Sequence, residues 1–116
     1  MSKRMRELFE DARRNGRKLF IQYVTAGYPT MNDTVPILLA AEAGGADIIE
    51  IGVPFTDPMA DGPVIQKACE RALEKGIGLV QVLATVSAFR QCDAKTPVVL
   101  MGYANPIERY GVDRFV

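Results

Sequence analysis

The sequence has no histidine, no tryptophan and only two cysteines in 116 residues. Without histidine there can be no Ser-His-Asp triad, no Cys-His pair and no histidine-bearing metal site. Any chemistry falls to carboxylates, tyrosines, hydroxyls and backbone groups. Two cysteines cannot build a zinc site alone. Cys69 and Cys92 lie in separate helical-looking stretches and read as reduced thiols rather than a disulfide. An excess of one charge is also missing, since 14 basic residues face 14 acidic ones. No nucleic-acid or membrane-surface partner is therefore implied. No run approaches the ~20 apolar residues of a membrane helix, and the basic N-terminal stretch lacks the apolar block of a secretion signal. A cytoplasmic protein is expected. Gly-rich phosphate fingerprints of the G-x-G-x-x-G or P-loop kind are absent too.

What is present is a regular alternation of helical and strand patterns. Met5, Leu8, Phe9 and Ala12 recur at helical spacing over residues 2–15, with Ser2 placed as N-cap and Gly16 past the end. This amphipathic helix reads as a lid on an apolar opening, its arginines solvated. Residues 19–25 form a β-branched and aromatic run ended by Ala26-Gly27-Tyr28-Pro29, a strand and its turn. A helix capped at Thr30 or Asp33 follows, the Asp33 start placing Pro36 harmlessly in the first turn, with Gly44-Gly45 at its end. Residues 46–52 read as a second strand and 53–63 as a loop dense in Pro, Gly and Asp. Helices are expected over about 63–75 and 79–91, a third strand over 97–101, a turn at 102–106, and a short helical turn beyond it. Apolar strands alternating with helices argue for a parallel sheet covered on both faces, as in barrels and doubly wound sheets. The loops after the strands then converge at the strands' C-terminal ends, where the site should lie.

Residues 31–66 contain Asp33, Glu42, Asp47, Glu50, Asp57 and Asp61 but no lysine or arginine. Glu42 and Asp47 read as an exposed helix position and a strand entry. Glu50 stands inside Ile48-Ile49-Glu50-Ile51, where strand alternation puts it on the face of Ile48, opposite Ile49 and Ile51. A carboxylate is expelled from such a place unless it is paired or used. It is either satisfied by loop N–H groups or poised as a general acid/base. Asp61, just before a helix, suits an N-cap as well as chemistry. Tyr23 shares a face with Ile21 and Thr25, and Tyr103 extends the face of Met101 and Val99. Two tyrosines beside two carboxylates fit a flat, partly apolar ligand, or simply pack.

Three segments carry a resemblance: Tyr23-Val-Thr-Ala-Gly-Tyr-Pro29, the run from Gly45 through Glu50 and Asp61 to Gln66, and Pro97-Val-Val-Leu-Met-Gly-Tyr-Ala-Asn-Pro106. In order and spacing they resemble the alpha chain of tryptophan synthase, and the Gly-Tyr-Pro and Met-Gly-Tyr variants are similar to the alpha portion of the fused fungal enzyme. The resemblance implies an α/β fold, a TIM (β/α)8 barrel with an added N-terminal helix. It implies cleavage of indole-3-glycerol phosphate to indole and glyceraldehyde 3-phosphate, a step that needs no cofactor and no metal. Glu50 and Asp61 match the family's catalytic acids. Tyr23, Ile65, Met101 and Tyr103 match positions lining its indole pocket. Asp57, Pro58 and Asn105 match loops facing the beta chain, whose pyridoxal phosphate joins indole to serine.

The residue types agree with that chemistry. Retro-aldol cleavage needs an acid for indole C3, a base for the glycerol hydroxyl and an anion near the indole N–H. Glu50 suits the first two roles and Asp61 the third. A whole barrel needs about 250 residues, and many such enzymes grip phosphate with loops after the seventh and eighth strands. Residues 1–116 are thus expected to be an incomplete N-terminal portion of one barrel domain, with its helix and first three strands, inactive alone. Two other readings remain: another phosphate-handling barrel enzyme, or a non-catalytic module that docks on a partner through the 53–63 loop.

Overall fold

The computed structural model describes residues 1–116. Helix α1 (Lys3–Arg14) is followed by β1 (Ile21–Thr25), α2 (Met31–Ala43), β2 (Ile48–Gly52), α3 (Pro63–Glu74), α4 (Leu79–Cys92), β3 (Val98–Met101), α5 (Ala104–Tyr110) and α6 (Val112–Phe115). The strands form one parallel sheet in the order β1-β2-β3. No single helix is both long and apolar enough to cross a membrane.

Strand alternation sorts the sheet into two unlike faces. Ile49 and Ile51 point to the helix side, where they are fully buried with Leu38 of α2, Ala72 of α3, and Val82 and Phe89 of α4. The other face carries Ile21 opposite Ile48, then Tyr23, Glu50 and Val99 in one row, then Thr25, Gly52 and Met101 in the next. Two-sided covering belongs to a whole barrel, and three strands alone are expected to leave the inner face open. Helices pack on one face, while Ile21, Val99 and Met101 on the other are 53%, 40% and 49% exposed.

Local chemistry accounts for the element ends. The Ser2 hydroxyl accepts the Met5 N–H at 3.3 Å and caps α1 as expected. Thr30 rather than Asp33 is the N-cap position of α2, so Pro36 lies inside the helix and not in its first turn; the Thr30 hydroxyl donates to the Asp33 carboxylate at 2.6 Å. The expected turn at 102–106 is shorter. Tyr103 stands at the N-cap position and α5 begins at Ala104, so Pro106 falls in the first turn, where its missing N–H removes no helical bond.

Helix α1 lies at the N-terminal end of the sheet, away from the loops that follow the strands. Arg4 Nε donates to Ala94 O at 2.6 Å, and Arg4, Glu7 and Leu8 line a hollow with Asp47, Thr96 and Pro97. The Asp47 carboxylate accepts the Phe20 N–H at 2.8 Å and pairs with Arg17 at 2.6 Å, tying the start of β1 to the start of β2.

Candidate active site

The candidate site is built where the sheet's C-terminal ends meet the 53–62 loop. Parallel hydrogen bonding continues past the strands, with Ala26 N–H donating to Gly52 O at 3.1 Å and Val53 N–H to Met101 O at 2.8 Å. These bonds fix the starts of two loops against each other. Between them a cavity of about 200 Å³ is lined by Tyr23, Val53, Ala60, Asp61, Cys69, Met101, Gly102 and Tyr103. Tyr23 lies directly over Gly52. A Cβ there would come within 2.0 Å of the tyrosine oxygen, so only glycine leaves room for the ring.

Asp61 is not the N-cap of α3. That position belongs to Gly62, with Pro63 in the first turn, and the Asp61 side chain turns toward Tyr103. The Tyr103 hydroxyl donates to Asp61 Oδ2 at 3.4 Å and accepts the Ala60 N–H at 3.0 Å. Its ring packs on Phe55 with centroids 5.3 Å apart. One tyrosine thus holds both the carboxylate and the backbone beside it.

Glu50 is half-buried on the inner face, opposite Tyr23 of β1 and Val99 of β3. The chain's ion pairs are Lys3–Glu7 and Arg17–Asp47, so no internal cation consumes Glu50. It does not line the small cavity, but it shares a field with Asp61. Burial pushes the Tyr23 phenol up from its ordinary value against a hydrogen bond from Thr25, and the charges of Cys69, Asp61 and Glu50 push the same way. Burial, aided by Asp61, also pushes the Cys69 thiol up, against a bond from the Phe55 backbone. Both groups therefore stay protonated at neutral pH.

With that geometry, comparison with known proteins is direct. The family model for "Tryptophan synthase alpha chain" matches residues 9–116. The chain belongs to the tryptophan synthase alpha chain family. It is 63% identical over 113 residues to the alpha chain of Methylibium petroleiphilum, covering 97% of this chain and 42% of the relative. Against the Burkholderia cenocepacia alpha chain it is 59% identical over 112 residues, covering 97% and 41%. The solved alpha subunit of Legionella pneumophila superposes with a TM-score of 0.96 at 47% identity over 99% of this chain and 44% of that one. An aminoacrylate-bound tryptophan synthase from Mycobacterium tuberculosis gives 0.89 at 41% identity, over 98% and 46%. The chain spans less than half the length of these relatives and corresponds to the N-terminal part of the family's TIM-barrel alpha chain.

The structure brings together some of the residues singled out in the sequence and separates others. Asp61, Tyr23, Met101 and Tyr103 share the small cavity. Ile65 instead lines an apolar trough of about 620 Å³ with Tyr23, Val64 and Ala68, on the α3 side of the same tyrosine. Asp57 is exposed and Pro58 half-buried in the loop. Asn105, exposed at the start of α5, lines a groove of about 580 Å³ that also takes in Pro54, Phe55 and Thr56. Two residues with structural roles at or near this loop and sheet escaped the sequence reading. Asp47 read as a strand entry, and Gln66 only as the end of a motif. Asp47 carries no local signal because the amide it binds is 27 residues away, and Gln66 carries none because the loop it reaches, five and eight residues back, has no regular pattern.

Proposed function

We propose that residues 1–116 are the N-terminal helix and first three βα units of one barrel domain whose complete alpha chain cleaves indole-3-glycerol phosphate, as a lyase of tryptophan biosynthesis. The observation that carries this reading is Tyr23, which stands opposite Glu50 in the sheet and lines one cavity with Asp61. Glu50 has no internal ion pair, and Asp61 is held beside a cavity walled by tyrosines and a methionine.

In this reading Glu50 delivers a proton to indole C3 as the bond to the glycerol chain breaks, and takes the proton of the hydroxyl that becomes the aldehyde. Asp61 faces the indole N–H and balances the positive charge that grows there. Tyr23, Ile65, Met101 and Tyr103 give the flat ring an apolar seat. The division of labour follows from environment: Glu50 stands among apolar neighbours, and Asp61 is fixed by a phenol and its own loop. The step needs no cofactor on this chain.

The phosphate grip belongs to the rest of the barrel, so residues 1–116 alone are inactive. Asp57, Pro58 and Asn105 face the beta chain, whose pyridoxal phosphate site receives the indole. A cytoplasmic location goes with this metabolic role.

The test uses a full-length barrel in which residues 1–116 are joined to the remainder of the Methylibium petroleiphilum relative. Glu50→Gln and Asp61→Asn should each lower indole-3-glycerol phosphate cleavage by about a hundredfold or more, while binding to the beta chain persists. Retained cleavage in both variants would sink the catalytic assignment and favour a docking module.

A further inference from the structure

The four residues Pro58 to Asp61 form a turn closed by the Asp61 N–H donating to Pro58 O at 3.0 Å. Gln66, half-buried near the start of α3, reaches back over this turn. Its Nε2 donates to Asp61 O at 2.8 Å and to Pro58 O at 3.3 Å, the carbonyls at the two ends of the turn. The middle is held from the other side by Tyr103, whose hydroxyl accepts the Ala60 N–H at 3.0 Å.

A primary amide has two N–H groups on one nitrogen, so one side chain can bind both carbonyls at once. Glutamate has no donor there when ionised, and methionine has none at all. The bracketed carbonyls are exposed to competition from water unless something stiff engages them. The root of Gln66 is fixed in the helix, its N–H donating to Gly62 O at 3.0 Å, and the two amide bonds restrain the rest of the side chain.

We infer that Gln66 is a positioning residue that holds the 58–61 turn from both ends and so sets where the Asp61 carboxylate stands relative to the bound ring. The catalytic part of this inference rests on the function proposed above; the clamp itself does not. A misplacement of about 1 Å in a reacting group can cost on the order of a hundredfold in rate. The binding surfaces for the ring, contributed by Tyr23, Met101 and Tyr103, do not pass through Gln66. The signature is therefore a lowered kcat with KM nearly unchanged.

The experiment uses the same full-length barrel, with Gln66→Met and Gln66→Glu, both close to glutamine in size. Steady-state cleavage is measured per folded molecule, and backbone amide exchange is followed at Ala60 and Asp61. The expected result is a loss of kcat of about tenfold to a hundredfold, KM within about twofold, and faster exchange at both amides, larger for Gln66→Glu. Unchanged exchange at these amides in either folded variant overturns the clamp. Faster exchange with unchanged kcat overturns the positioning role. If the unsubstituted barrel does not cleave indole-3-glycerol phosphate, the proposed function fails, and amide exchange still decides the clamp.

Discussion

At the scale of single residues, two carboxylates at the end of the sheet opposite the candidate site tie stability to pH. Asp47 is held below the usual carboxylate range by the Phe20 N–H first and by Arg17 second. Asp93 is pushed up by burial, but bonds from the Thr96 hydroxyl and the Thr96 and Lys95 amides outweigh this and leave it lowered. Both groups bind protons more weakly folded than unfolded. The stability they contribute is present above the unfolded aspartate value of about 3.9 and is lost as pH falls through their folded values. Denaturant midpoints of the full-length barrel should fall on acidification through that window, and Asp47→Asn with Asp93→Asn should flatten the fall. Asp47→Ala at neutral pH should cost about 1.5 kcal/mol, because the Phe20 N–H loses a charged acceptor; an unchanged midpoint would refute the tie. Legibility at this scale was uneven. Glu50 was readable because a charge in an apolar strand violates its local pattern, whereas Asp47 and Gln66 obey theirs and act only through folding.

At the scale of elements, the turn after β2 depends on a missing side chain. Gly52 has ordinary backbone torsions, and what demands glycine is the Tyr23 ring lying where a Cβ would project. Gly52→Ala should displace that ring, lower stability by about 1–3 kcal/mol and, in the cleavage proposed above, raise KM more than it lowers kcat. Kinetics and denaturation of the full-length barrel check both. Strand positions were legible from apolar runs between Gly and Pro punctuation, and the register followed from parity. The start of α5 was not, because Gly102, Asn105 and Pro106 are turn formers by composition; a proline in a first helical turn looks the same in sequence as one that breaks a helix. Of the two roles open to Asp61, the cap is the one it does not take, for a related reason. Aspartate is a favoured cap, but the Tyr103 hydroxyl, 42 residues away, draws Asp61 to itself.

At the scale of the whole molecule, one face of the sheet is packed and the other is not. Ile21, Val99 and Met101 stand on the open face, and β1 and β3 are both edge strands. Burying each such side chain is worth about 1.5–3 kcal/mol, so the isolated chain gains by covering this face. Sedimentation of residues 1–116 alone should show mass rising with concentration, and adding the remaining segment of the Methylibium petroleiphilum relative should replace that association with a one-to-one complex. A monomer at every concentration would contradict this. The two cysteines offer a way to watch the molecule open. Cys92 is exposed at the end of α4, while Cys69 is buried in the cavity wall beside Asp61 with its thiol kept protonated. A thiol reagent should therefore label one site at once and the other only when α3 lifts from the sheet. The ratio of doubly to singly labelled protein then acts as a clock for opening of the candidate-site end, readable by mass alone and without substrate.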